Sequence, residues 1–220
     1  MVSPLRRCLL WMDVRSAKQS AQILELGFND PALAVNCGGI GPISAEWMLP
    51  KALWIKQTEP TVWSNSAVIC EMEDYLNYRL TNRLCASSCN VAARWHWNAE
   101  EASSPLSSII DAPTLKHKMD DLLSSVRSDS DEELRKLFPG RPISLLRRIG
   151  MLDVLQKWPQ QCISMGEQLG GLSQEAAMML GLPEGLPVIQ GGPDAYVGMI
   201  GLGCVRPGKL ALITGIKKEG

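Results

Sequence analysis

Histidine is nearly missing from this chain. His96 and His117 are the only 2 among 220 residues, too few for a histidine-dependent nucleophile triad or a multi-histidine metal site. A surplus of either charge is also lacking. The 22 lysines and arginines face 23 aspartates and glutamates, for a net charge of -1. Such a balance leaves no electrostatic footprint for nucleic acid or for an anionic membrane surface. Long apolar runs are absent as well. Cys8 to Met12 follows Arg6 and Arg7 but is cut off by Asp13. It is too short for a signal-peptide core, and no stretch approaches a membrane span. A soluble, cytoplasmic chain is the expectation.

Paired cysteines are the next absence. There are 7, an odd and scattered set, read as reduced thiols rather than a disulfide framework. Cys85 and Cys89 are the closest pair, with no second pair or paired histidines nearby, so no metal site is expected. A phosphate-binding glycine motif is lacking too. Asn36-Cys-Gly-Gly-Ile-Gly41 fits neither a P-loop nor a dinucleotide fingerprint and reads as a flexible connection.

What is present is α/β-like. Hydrophobic residues make up 45% of the chain, enough for an ordinary core in one domain or slightly more. Leu9 to Met12 reads as the end of a strand with Asp13 and Arg15 at its polar exit. Ser16 to Leu26 reads as a helix stopped by Gly27. Ser44 is a candidate helix cap, and Pro50 must kink that helix or start a new one. Trp47 and Trp54 share one helical face and are read as core, while Glu46 and Lys51 line a site or the surface. Glu71 to Leu80 reads as an amphipathic helix with Met72, Tyr75 and Leu80 inward. Leu84 to Ala93 reads as a strand or a site-lining segment, closed by Arg94-Trp-His-Trp97. There Arg94 is either a ligand contact or an arginine stacked on an aromatic cluster. Ala99 to Arg141 is rich in Ser, Asp, Glu and Lys and reads as a solvated insert, with a helix start near Ser128 to Glu133. Gln174 to Gly181 is a further helix, and Lys209 to Ile213 a further strand.

The stretch from Leu186 to Gly203 organises the rest. Leu186 to Ile189 is apolar and reads as a buried strand. Gly191-Gly-Pro193 forces a turn, and a short packed helix follows Asp194. At the carboxyl end of a strand, Asp194 is either an N-cap or a general base. For Asp13 and Arg15, the choice lies between a polar pair facing a sugar-sized cleft and a cap beside a solvated arginine.

Six stretches occur in a set order: Trp11 to Arg15, Ser44 to Lys51, Glu73 to Thr81, Ser88 to Trp95, Gly171 to Leu182 and Gly191 to Ala195. Together they resemble the sugar-binding half of the FGGY carbohydrate kinases, nearest the ribulokinase-like, pentulose-phosphorylating branch. The resemblance implies an actin-like ATPase, ribonuclease-H-like fold. It implies ATP-dependent phosphorylation of a ketopentose such as ribulose or xylulose, with Mg-ATP as phosphoryl donor. It maps the general base to Asp194 and sugar contacts to Arg94, Glu46 and Asp13. Two phosphate motifs of that family are not found. The Asp-x-Gly-Thr hairpin has no counterpart, and Thr214-Gly215-Ile216 stands where a Gly-Thr-Ser-like turn is expected. The chain therefore reads as a truncated member. Residues 1–203 are a partial N-terminal domain carrying the insert of about 99–141, and 204–220 the start of a missing C-terminal domain. It is expected to be catalytically incomplete or to persist as a sugar- or partner-binding protein, with homo-oligomerisation left open.

Overall fold

The computed structural model describes residues 8–102 and 129–212. In order, the elements are α1 (Ala17–Leu26), a 3-10 turn (Pro31–Leu33), α2 (Ala34–Cys37), α3 (Met48–Thr58), α4 (Pro60–Asn65) and α5 (Met72–Thr81). Then come β1 (Ala86–Ser87), α6 (Ser88–Trp95), α7 (Ala99–Ala102), α8 (Asp129–Leu137), α9 (Ile143–Arg148) and a second 3-10 turn (Leu152–Gln156). The last are β2 (Cys162–Ile163), β3 (Gln168–Gly171), α10 (Gln174–Leu180), β4 (Pro187–Ile189) and α11 (Asp194–Gly201). β1 and β2 pair in parallel, Ala86 opposite Cys162, and β3 and β4 form an antiparallel hairpin.

One apolar core gathers Ile23, Leu49, Leu53, Trp95, Leu134, Phe138, Leu146, Val154 and Trp158. Trp95 and Trp158 stack at 4.6 Å between ring centroids. The Arg141 guanidinium covers the other ring, 4.2 Å from the Trp158 centroid, and donates to the Pro159 carbonyl at 2.6 Å. The stacked arginine of the aromatic cluster is thus Arg141, not Arg94. Leu134, Phe138 and Arg141 are buried, so the far end of the charged stretch joins the core. A smaller cluster, Leu172, Ala176 and Ala177, holds the β3–β4 hairpin with Leu80 and Val188.

Several expected elements form as read. α1 ends at Gly27. Pro50 lies in the first turn of α3, where no interior N–H is needed. α10 starts after Ser173, whose side chain accepts from the Ala176 N–H, and it ends at Gly181 in the left-handed region. The expected helix start near Ser128 to Glu133 is α8.

Others differ. Leu9–Met12 forms no strand among the described residues and ends in a turn at Trp11 and Met12: the Lys51 ammonium takes the carbonyls of Leu10 at 2.6 Å and Trp11 at 3.1 Å, in place of a ladder partner. Ser44 does not cap α3. Its hydroxyl accepts from the Glu46 N–H in a turn, and the helix starts four residues later. α5 is turned the other way round. Its buried residues are Asp74 and Asn77, while Met72 and Tyr75 are about half exposed and Leu80 is partly covered. β4 is an edge strand rather than a buried one, with Ile189 50% exposed. α11 has no buried residue, so the expected packing of that helix is not met among the described residues. Lys209–Leu212 forms no strand, and Leu210 is 90% exposed. Ile213, Thr214 and Gly215 lie outside the described residues.

Candidate functional site

Asp194 is the first residue of α11. Its side chain is exposed, and Oδ1 accepts only from the neighbouring Ala195 N–H, at 2.8 Å. Oδ2 takes no hydrogen bond from the described residues, and Pro193 stands at the cap position. The capping alternative is therefore weak: an N-cap side chain serves N–H groups two or three residues on, and this one does not. A carboxylate with one open oxygen at a strand-turn-helix junction suits proton abstraction from a bound hydroxyl.

The turn that carries Asp194 is held from beneath by α5 and α6. Glu73 accepts from Asn90 Nδ2 at 2.6 Å and from Gln190 Nε2 at 2.8 Å, and its carboxylate also receives the Gly191 N–H. Burial pushes Glu73 above the usual carboxylate range, and these donors pull against that shift. Ser87 Oγ donates to the Gly191 carbonyl at 3.4 Å. Beside them, Asp74 accepts from the Ser87 N–H at 2.9 Å and from the Glu71 N–H at 3.1 Å. It is 1% exposed, and burial raises its pKa to about 7 against the pull of those two bonds.

Further along α6, Arg94 joins a second polar group. Its Nη2 donates to the Glu46 carbonyl at 2.9 Å, and its Nε lies 3.0 Å from Glu71 Oε1 as an ion pair without hydrogen-bond alignment. Glu71 Oε1 also accepts from Trp95 Nε1 at 3.3 Å. Burial raises Glu71, opposed by the Arg94 charge. Lys51 is 3% exposed and its pKa is lowered, first by burial and then by Arg94, while Asp13, Glu71 and Glu46 oppose the shift. Asp13 receives both Nε and Nη2 of Arg15, the latter at 2.6 Å, and that hydrogen-bonded pair lowers its pKa. Arg15 in turn lies 4.3 Å over the Trp54 ring.

Three of the four residues expected at the site, Asp13, Glu46 and Arg94, thus lie close enough for their charges to act on Lys51, with Arg94 tied to the Glu46 carbonyl. The fourth, Asp194, makes no hydrogen bond or ion pair to them among the described residues. The link is α6. Asn90, which grips Glu73, and Arg94 are one turn apart on the same face, about 6 Å along the axis. Gly192 lies over the start of that helix: a Cβ there would be 3.8 Å from Cys89 Cβ.

The sequence reading missed Glu71, Glu73 and Asp74. Their signal was present as the polar spacing Asp74, Asn77, Thr81, a helical stripe opposite Tyr75, Leu76 and Tyr78. Apolar residues were taken to mark the inward face, and here they do not. A cavity of about 370 Å³ lies elsewhere, between Pro31–Val35 and Gly140–Ser144, and no expected site residue lines it. No helix among the described residues is long and apolar enough to cross a membrane.

No family model matches the chain. Among curated proteins it is 26% identical over 175 residues to a ribulokinase of Bacillus licheniformis, covering 80% of this chain and 26% of that protein. It is 26% identical over 203 residues to an FGGY carbohydrate kinase domain-containing protein of Xenopus laevis, covering 90% of this chain and 29% of that protein. Among solved structures, a xyloylose kinase from Brucella ovis superposes with a TM-score of 0.61 at 22% identity, over 93% of this chain and 33% of that one. The chain spans about a quarter to a third of the length of the proteins it matches.

Proposed function

We propose that this chain binds a ketopentose such as ribulose or xylulose for ATP-dependent phosphorylation, a reading supported by its similarity to a ribulokinase and an FGGY carbohydrate kinase domain-containing protein and by a fold shared in part with a xyloylose kinase. The observation that carries the reading is the α6 linkage. One helix anchors the turn bearing Asp194 near its start and the Arg94–Glu46–Lys51 group near its end.

In this reading Arg94 and the polar groups beside it orient the sugar hydroxyls, and Asp194 accepts a hydrogen bond from the hydroxyl to be phosphorylated. As that oxygen becomes nucleophilic, Asp194 takes its proton. The contribution is positional and electrostatic, as is usual in phosphoryl transfer. Magnesium carried on ATP needs only one or two carboxylates beside the phosphates, so the lack of a group of three or more His, Cys, Asp or Glu side chains among the described residues does not bear on it. The roles assigned here are those on the sugar side of the reaction. The α6 linkage equally supports a second reading, a sugar-binding protein without turnover.

ADP release with Mg-ATP and a panel of ketopentoses, with Asp194→Ala as control, separates the two. Turnover lost in the variant supports the kinase reading. Turnover retained in the variant refutes the role of Asp194. A folded wild type that binds sugar without releasing ADP supports the second reading.

A further inference from the structure

The Gly191–Asp194 turn has little of its own to fix it. It leads out of an edge strand and into a helix with no buried residue. A general base must nevertheless be held to within a fraction of an ångström of its working position. The grip comes from one side chain on another helix. Glu73 of α5 receives Asn90 Nδ2, Gln190 Nε2 and the Gly191 N–H together. Gln190 is 1% exposed and is held in turn, its Oε1 accepting from Asn77 Nδ2 at 3.4 Å. The fit at Gly191 is close: a Cβ there would lie 2.8 Å from Glu73 Oε1, a distance real Cβ atoms essentially never show. Glycine at this position and glutamate at 73 therefore form one device.

We propose that Glu73 is the positioning residue for Asp194: its carboxylate ties the backbone at Gly191 to α5 and α6, so that the turn delivers Asp194 to the sugar in one place. The catalytic half of this inference rests on the ketopentose-kinase reading, whereas the structural half stands apart from it. No contact of Glu73 with the sugar or the phosphoryl group is invoked. Glu73 acts through the peptide three residues before the base.

The test compares wild type with Glu73→Ala, Glu73→Gln and Asp194→Ala in the same chain. Backbone hydrogen exchange is read by peptide, and ADP release is read as separate kcat and KM. Glu73→Ala should speed exchange over residues 190–196 about tenfold or more, since three hydrogen bonds to one carboxylate are lost. Exchange over 145–158 in the main core should stay unchanged. kcat should fall about tenfold or more with ketopentose KM within about threefold, the mark of lost positioning rather than lost binding. Glu73→Gln, which keeps one acceptor oxygen, should recover part of both effects. Unchanged exchange over 190–196 in Glu73→Ala overturns the proposal, and so does a fall in kcat matched by uniform loss of core protection. If Glu73→Ala does not fold, Gly191→Ala, which pushes into the same carboxylate, carries the exchange arm with the same criteria. Retained turnover in Asp194→Ala refutes the role of Asp194 as base, a folded wild type without turnover refutes the kinase reading, and in either case the exchange result still decides whether Glu73 fixes the turn.

Discussion

Replacing Asp74 by asparagine should change the pH dependence of folding more than its level. Asp74 is 1% exposed, and burial raises its pKa from 3.8 to about 7, with the neighbouring Glu71 and Glu73 charges adding to the shift. The folded state therefore prefers the protonated form. The stabilisation it brings is complete below the unfolded value and is lost as pH rises through the folded one. Three units correspond to about 4 kcal/mol in all, or about 1.4 kcal/mol per pH unit inside the window. His96 runs the other way. Burial lowers it from 6.5 to about 4, so its contribution is present above the unfolded value and lost as pH falls through the window. The two slopes oppose each other between those limits, and a wild-type profile alone hides both. The difference between wild type and Asp74→Asn isolates the first. The asparagine amide must face one of the two N–H donors, from Ser87 or Glu71, at a cost of about 1–3 kcal/mol. Urea unfolding from about pH 5 to about pH 8 should thus find the variant less stable at the acid end. It should recover roughly 2 kcal/mol relative to wild type by neutral pH, then level off. Stability curves that run parallel across the range would refute the assignment of a buried, proton-retaining Asp74.

Other substitutions test the packing. Arg141→Ala removes the cover of Trp158 and the bonds to the Pro159 carbonyl and Cys162 Sγ, and should cost about 3 kcal/mol, read from the thermal midpoint. Gly171→Ala places a Cβ 2.9 Å from Gly185 Cα; two backbones cannot both give way, so about 1–3 kcal/mol is expected, with exchange rising in the β3–β4 hairpin. Asp194→Ala, at an exposed site, should leave the unfolding midpoint within about 0.5 kcal/mol of wild type while abolishing the proposed sugar phosphorylation. Met179 and Ile200 are 68% and 51% exposed among many bare apolar side chains. Lysine at both should lower light scattering at high concentration without lowering the melting temperature.

Local signals in the chain were readable where one residue decides the backbone. Gly27 and Gly181 end helices, Ser173 starts one, and Pro50 sits in a first turn because it can sit nowhere else in α3. The resemblance proposes Asp194 and Arg94 for the site; the structure puts Asp194 exposed at the start of α11 and Arg94 beside Glu71 and the Glu46 carbonyl. What could not be read was burial. The stretches Leu186–Ile189 and Val197–Leu202 are apolar and were expected to be covered, yet they are largely exposed, as is the expected strand end Leu9–Met12. Apolar composition says that a surface is suited to burial, not that a partner surface is present in the described residues. The converse error hid Glu73 and Asp74. A polar stripe on α5 reads as solvated unless the donors that satisfy it are known, and these come from Ser87, Asn90 and Gln190, 13 to 117 residues away in sequence.

The most direct test of the sugar-site account is calorimetric titration of ribulose and xylulose into the 220-residue chain, beside Arg94→Met. The account predicts saturable, single-site uptake of at least one ketopentose, weakened about tenfold or more when Arg94 is replaced. A folded wild type that takes up neither sugar, or an Arg94→Met chain that binds as well as wild type, would contradict it.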